Sequence, residues 1–170
     1  MDDTQEIVIR PSINDDAPSI FELLNVTWDA AYSSFIPKKV LTDYLNNTYS
    51  LSKLENIFSD DNLECYTVLI GTKVVAWLKL YENVEENRFY LSSIYVLPDF
   101  QKFKIGKRLM SLSYKRAVEK GYGSIWIGVM IQNPKALEWY KREGFIFTEE
   151  MPFKMNETSV PHLIGQKILI

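Results

Sequence analysis

Apolar and polar residues repeat with two different periods along the chain, and the changes of period predict its elements. Near the N-terminus the segment EIVIR alternates and is β-branched, which predicts a short strand that ends before the first proline. Residues 14–32 follow a helical period that places Leu24 and Trp28 on one face. We expect Asn14 or Asp15 to cap this helix, because short polar side chains accept from free amides there.

The rest of the chain divides in the same way. Two further helices are expected before the middle of the chain, over residues 37–49 and 51–61. A β-hairpin is expected where two strand-like runs meet at Gly71 and Thr72. The later segments, listed in order, are a strand over 87–98, a helix over 105–123, a strand over 124–131, a helix over 133–145, and closing strands over 145–153 and 162–170.

This order contains seven strands and predicts one α/β (α+β) domain over residues 1–170. Two strands separated by a helix, near Tyr95 and Ile127, form a βαβ unit and should be parallel. The hairpin before them should be antiparallel. A mixed, mostly antiparallel central sheet with helices on both faces follows.

Composition excludes several classes of function. The net charge is −3 and the pI is about 5.3, which argues against a nucleic-acid partner and leaves room for a cationic one. With a single Cys65 and a single His162, a disulfide is impossible and a metal site is not expected. The N-terminus lacks the apolar region of a signal peptide, and no run of about 18 apolar residues exists, so we expect a cytoplasmic protein without a membrane partner.

The segment YVLPDFQKFKIGKRLM, residues 95–110, is basic in an acidic chain. Its cations Lys102, Lys104, Lys107 and Arg108 surround the junction of a strand and a helix. The free amides at a helix start bind phosphate groups, and Gly106 permits close approach of a ligand. The alternative is that these are solvated residues at a helix start. The segment matches neither the P-loop nor the Rossmann pattern.

The same segment resembles motif A of the GNAT superfamily of acyl-CoA-dependent N-acyltransferases. The matching residues are Val96, Pro98, Gln101 and Gly106. Lys104 stands where the motif has its first glycine. If that position requires a left-handed backbone, a lysine there costs roughly 1–2 kcal/mol. If it requires only close approach, the side chain can turn outward or reach a phosphate.

A second segment, VMIQNPKALEWYKREGF, resembles motif B of the same superfamily, and the resemblance extends over the whole element order. The matching positions are Val129, Asn133, Ala136, Tyr140, Gly144 and Phe145. More narrowly, the chain resembles bacterial spermidine/spermine N-acetyltransferases of the PaiA type. These resemblances imply a GNAT-like fold whose two central parallel strands splay apart around residues 94–96 and 126–129, with acetyl-CoA between them.

The resemblance also implies roles for individual residues. Tyr140 is the expected general acid, and the alternative is that it is an aromatic residue of the core. The backbone amide of Val96 is the expected donor to the oxyanion. Trp28 and Tyr32, one helical turn apart, are expected to bind the acceptor amine, with core packing as their alternative. The residues expected to hold coenzyme A are Ile94, Tyr95, Val96, Gln101, Lys102, Phe103, Lys104, Ile105, Gly106, Lys107, Asn133, Ala136 and Tyr140.

Three questions stay open at this point. The general base is undetermined: a water relay to Glu82, Glu85, Glu86, Tyr90 or Tyr95, or binding of the amine in its neutral form, would each serve. Countercharges for the amine are available at Asp29, Asp43 and the same three glutamates. The acceptor is expected to be a small amine, with a polyamine favoured over a protein N-terminus, a lysine or an amino sugar. A coenzyme A-binding regulatory module without turnover is the alternative from another class, and a homodimer is possible.

Overall fold

The computed structural model describes residues 5–170. Residues 1–4 belong to the domain predicted over 1–170 but lie outside the described residues. Within the described residues the chain forms five α-helices, named α1 (Ala17–Tyr32), α2 (Lys38–Thr48), α3 (Leu51–Phe58), α4 (Ile105–Glu119) and α5 (Pro134–Arg142). It forms seven strands, named β1 (Ile7–Pro11), β2 (Leu63–Ile70), β3 (Lys73–Asn83), β4 (Arg88–Val96), β5 (Ser124–Met130), β6 (Ile146–Met155) and β7 (Thr158–Ile168).

The strands make one mixed sheet in the order β1-β2-β3-β4-β5-β7-β6. Every neighbouring pair is antiparallel except β4 and β5, which the α4 crossover joins in parallel. The β2–β3 hairpin turns at Gly71, whose φ of 59° suits a residue without a Cβ. The predicted seven-stranded mixed sheet is confirmed, including the βαβ unit at its centre.

Each face of the sheet has its own apolar core. We call the side covered by α4 and α5 the donor face; its core includes Leu80, Phe89 and Leu109. We call the side covered by α1, α2 and α3 the acceptor face; its core includes Trp28 and Trp77. Successive strand residues point to opposite faces, so one strand supplies both cores. No helix within residues 5–170 is both long and apolar enough to cross a membrane.

The start of α1 differs from the prediction. A short 3₁₀ turn covers Asn14–Asp16, and neither Asn14 nor Asp15 caps the helix with its side chain. Instead the carboxylate of Asp16 turns back, accepts from the Ile13 amide at 2.9 Å and pairs with Arg10 at 2.7 Å. Asp16 makes these contacts because it is buried and the guanidinium of Arg10 is within hydrogen-bond distance.

The closing strands are longer than predicted. β6 continues to Met155 and β7 begins at Thr158, so the two form a hairpin with Asn156 at a φ of 54°. The predicted strands end at Phe153 and begin at His162. In the sheet Pro152 and Pro161 face each other in register at its edge, where a missing backbone donor costs least.

Candidate active site

A cleft opens at the centre of the sheet between β4 and β5. The two strands are joined at a single position, Tyr90 opposite Trp126. Towards their carboxyl ends the ladder stops, so residues 91–96 of β4 and residues 127–130 of β5 do not pair with each other. This is the splay that the sequence resemblance implies, and it leaves a row of backbone groups available for a ligand.

The amide of Val96 points into this cleft. Leu97 donates its N–H across to Val75 of β3 at 2.9 Å. Because consecutive amides of a strand point to opposite sides, the Val96 N–H points the other way, towards β5. The Gln101 side chain bonds the Val96 carbonyl at 3.4 Å and so reaches back to the cleft mouth.

The turn after β4 is structured. Residues Pro98–Phe103 form a 3₁₀ helix, and Lys104 both ends it and begins α4. Lys104 has φ 58° and ψ 23°, the left-handed conformation. The position where the motif has glycine therefore does require that conformation. The first amides of α4, from Ile105 onward, have no intrahelical partner and point out of the helix start.

The basic side chains of this turn divide into two groups. Lys104, Lys107 and Arg108 line a groove of about 600 Å³ between α4 and the first two strands. Lys102 lies against the ring of Phe103, with its amine 5.3 Å from the ring centroid. None of these four cations forms a salt bridge with another residue of the described chain. Their positive charge is therefore not neutralised by the protein.

Gly106 lies in the first turn of α4, against α5. A Cβ added there would meet the Trp139 ring at 3.5 Å, an ordinary contact, and the backbone φ is not positive. The protein itself therefore has room for a larger residue. The remaining physical reason for glycine is the approach of a ligand to the helix start.

The α5 helix carries two of the predicted residues. Asn133 caps it, because its Oδ1 accepts from the Ala136 amide at 3.3 Å. One helical turn after Ala136, Tyr140 is 8% exposed and packs on the donor face. Burial raises the pKa of Tyr140, and Tyr32 contributes in the same direction.

On the acceptor face, aromatic rings surround Trp28. Its ring centroid lies 5.0 Å from that of Tyr32, 5.2 Å from Tyr44 and 6.0 Å from Tyr95. Tyr95 is the residue before Val96, so this cluster reaches the cleft. The Tyr95 side chain belongs to the acceptor-face core, whereas those of Ile94 and Val96 pack on the donor face, so only the backbone of Tyr95 is available to coenzyme A on the donor face.

The sequence missed Tyr44 as part of this cluster. Its position on the apolar face of α2, with Leu41 and Leu45, was the available signal. Which helix α2 packs against depends on tertiary structure, so the stacking on Trp28 was not predictable from spacing.

Most of the acids considered for proton acceptance or countercharge are already paired. Glu82 accepts from Lys120 at 2.8 Å and Tyr122 at 3.0 Å, which lowers its pKa. Glu86 accepts from the hydroxyl of Tyr90 at 3.0 Å, and burial raises the pKa of that tyrosine. Asp29 lies 3.6 Å from Lys38 and Asp43 lies 2.6 Å from Lys39, both on the surface.

Comparison with known proteins agrees with this geometry. The profile of the Acetyltransferase (GNAT) family matches residues 19–145. A spermidine N(1)-acetyltransferase of Thermoplasma acidophilum is 24% identical over 143 residues, which is 82% of this chain and 88% of that protein.

Two solved structures show the same fold. The PaiA N-acetyltransferase of Thermoplasma acidophilum, solved with coenzyme A, superimposes with a TM-score of 0.83 at 20% identity, covering 96% of this chain and 99% of that one. A GCN5-related N-acetyltransferase of Rhodopseudomonas palustris gives 0.80 at 15% identity, covering 95% of both chains. The chain belongs to the acetyltransferase (GNAT) family, and it is an acyltransferase that uses acetyl-CoA.

Proposed function

We propose that the protein transfers the acetyl group of acetyl-CoA to a primary amine bound on the acceptor face, and that this amine is a polyamine. The observation that carries the proposal is the open cleft, which has free backbone donors on one wall and meets the basic turn at its mouth. On its acceptor side lies an aromatic cluster without charged members.

The residues present fit coenzyme A. The free amides from Ile105 to Lys107 and the unpaired cations of the turn match a diphosphate in charge and in hydrogen-bonding type. Beyond it, the unpaired edges of β4 and β5, from Ile94 on one side, match an amide-rich chain that pairs like an added strand. Bound there, acetyl-CoA supplies the activated acyl group.

The chain's own groups then perform two tasks. The Val96 N–H donates to the oxygen on which negative charge develops, and it is oriented beforehand by the ladder between β3 and β4. Tyr140 holds a proton at neutral pH, because burial raises the pKa of its hydroxyl, and donates it to the departing sulfur.

A polyamine fits the acceptor face through its aromatic rings. The cluster of Trp28, Tyr32, Tyr44 and Tyr95 offers walls for an alkyl chain and cation–π contacts for ammonium groups. The resemblance to PaiA-type enzymes and the name of the Thermoplasma acidophilum relative support the same class. The surface acids near α1 and α2 are held by lysines, so aromatic contacts carry more of this argument than charge does.

One observation favours a second acceptor class. The indole N–H of Trp28 is buried and has no hydrogen-bond partner among the described residues. It can only donate, and a polyamine offers only nitrogen atoms that are protonated near neutral pH. An amine that carries an oxygen, such as an amino sugar or a peptide N-terminus, would satisfy it.

A panel of acceptors tests the proposal. Purified protein is incubated with acetyl-CoA and one acceptor at a time: spermidine, spermine, an amino sugar or a short peptide. The products are identified and quantified by mass spectrometry. We expect acetylated spermidine or spermine at the highest kcat/KM. Preference for the amino sugar or the peptide would reject the polyamine and support the second class.

A further inference from the structure

We propose that His162 is the catalytic base, which accepts the proton that the acceptor nitrogen loses as it bonds to the acyl carbon. The inference rests on the acceptor face proposed above, and it supplies the one chemical role left without a residue.

His162 lies on β7 at the side of the cleft opposite Tyr95. It faces Met130 across the β5–β7 ladder, on the acceptor face of the sheet. Its ring occupies the space above Gly128, where a Cβ would lie 2.1 Å from the Nε2 atom. Gly128 is exposed and lies two residues beyond the single β4–β5 bridge. The imidazole therefore covers the splayed part of β5.

An unbroken row of rings connects His162 to the proposed acceptor site. The His162 ring lies 5.5 Å from Phe153, which lies 5.8 Å from Tyr44, and Tyr44 stacks on Trp28 at 5.2 Å. Tyr95 closes the row on the β4 side. We call this row of rings the arc; it lies on the acceptor face, with the imidazole at one end and Tyr95 at the other.

This arc contains both of the buried side-chain nitrogen atoms that lack a hydrogen bond in the described chain. They are Nε1 of Trp28 and Nδ1 of His162. A buried polar atom without a partner costs about 1–3 kcal/mol, and such atoms are rare in native proteins. Their occurrence in one arc indicates a place built around a polar molecule.

The imidazole is in the correct state to accept a proton. Burial lowers its pKa below the usual 6.5, and the backbone of Met151 opposes this only in part. The groups that face it are uncharged: Gly128 and Met130 from β5, Met151 and Phe153 from β6, Tyr44 from α2 beyond Phe153, and Val160 and Ile164 beside it on β7. The acid one step along the same face of β6, Glu149, is held by Arg88 at 2.7 Å. His162 is therefore neutral at pH 7.

The step starts from the acceptor nitrogen in its neutral form, whose ammonium proton has gone to solvent. From there the proton balance closes without another reagent. One N–H bond of the acceptor breaks and one N–H bond forms on the imidazole. The nitrogen lone pair makes the bond to the acyl carbon, the C–S electron pair leaves with sulfur, and sulfur takes the proton of Tyr140. The imidazolium and the phenolate then exchange one proton through solvent. A nitrogen that is bonding to a carbonyl carbon is strongly acidic, so a weak base is sufficient.

The kinetic test uses the acceptor that the wild type acetylates best. We expect log kcat/KM to change slope below pH 6.5 in the wild type, and His162→Gln to remove that break and lower kcat/KM by about 100-fold near neutral pH. Phe153→Leu is the matched control: it removes the neighbouring ring, keeps the imidazole, and should raise KM while the break stays. A break that persists in His162→Gln, or a loss below about threefold, overturns the proposal.

A second measurement needs no variant. The chain contains one histidine, so its imidazole gives one set of NMR signals in the intact protein. With coenzyme A bound, addition of spermidine, or of the amine found best in the panel, should shift these signals and change their titration midpoint. Unchanged signals at a saturating amine concentration would refute His162 as the base. The identity of the best amine judges the polyamine proposal separately, since either test runs with any accepted amine.

Discussion

Replacing Lys104 by glycine should stabilise the protein. Lys104 holds a φ of 58°, a conformation that costs an L-residue roughly 1–2 kcal/mol. Glycine adopts it freely, but its greater freedom in the unfolded chain costs about 0.5–1 kcal/mol. The two ranges differ by about 0–1.5 kcal/mol, centred on a gain of about 0.7 kcal/mol, or roughly 1–3 °C in Tm for a domain of this size.

Lys104→Ala separates the backbone effect from the charge. Alanine removes the amine but keeps the Cβ, so its Tm should equal that of the wild type or fall slightly below it. Both variants lose the same charge, so both should weaken coenzyme A binding to a similar degree. Because the side chain is exposed, that loss should be at most about fivefold and should shrink at higher salt.

Differential scanning calorimetry of the apo protein and isothermal titration with coenzyme A measure the two effects. If Lys104→Gly melts at or below Lys104→Ala, the left-handed strain is not a cost in this protein. If both variants bind coenzyme A as the wild type does, the lysine does not contact the phosphates.

Three further outcomes are expected. Tyr140→Phe should lower kcat about 100-fold with the Kd for coenzyme A unchanged, and equal turnover would reject it as the acid. Gly106→Ala should leave the Tm unchanged, because the new methyl meets Trp139 at an ordinary distance, and it should weaken coenzyme A binding measured by titration. Unchanged binding would mean that coenzyme A does not approach the backbone of Gly106 closely. Burial opposes ionisation of Asp16, but bonds from Arg10 and its other donors lower its pKa below 3.8, so its stabilisation is present above pH 3.8 and lost as pH falls through the folded pKa. Asp16→Asn should cost about 2 kcal/mol in urea unfolding near neutral pH, and a cost that is unchanged at pH 3 would contradict this.

The sequence predicted the sheet because its signals are local. The hairpin at Gly71, the cap at Asn133 and the alternation along β4 each involve residues within a few positions of one another. The central splay followed from resemblance and not from spacing, since nothing in the composition of β4 indicates that its ladder ends early.

What the sequence missed depends on distant partners. Asp16 stands at the start of α1, but its carboxylate turns back to Arg10 and Thr67, and Thr67 lies 51 residues away. His162 was considered only as a metal ligand, because its relation to Gly128 exists only once β5 and β7 pair. Tyr44 and Phe153 meet across two elements that are far apart in the chain. Such contacts have no periodic signature.

The single bridge between β4 and β5 separates the sheet into two parts. Strands β1–β4 carry α1 to α3, where we propose that the amine binds, whereas the segment from β5 onward carries Tyr140 and His162, to which we assign the proton transfers. Each half has an intact ladder of its own, and one backbone pair spans the seam. A molecule that lies along that seam and bonds to both strands would supply the backbone hydrogen bonds that β4 and β5 do not make to each other. It would thereby fix the relative position of the two halves.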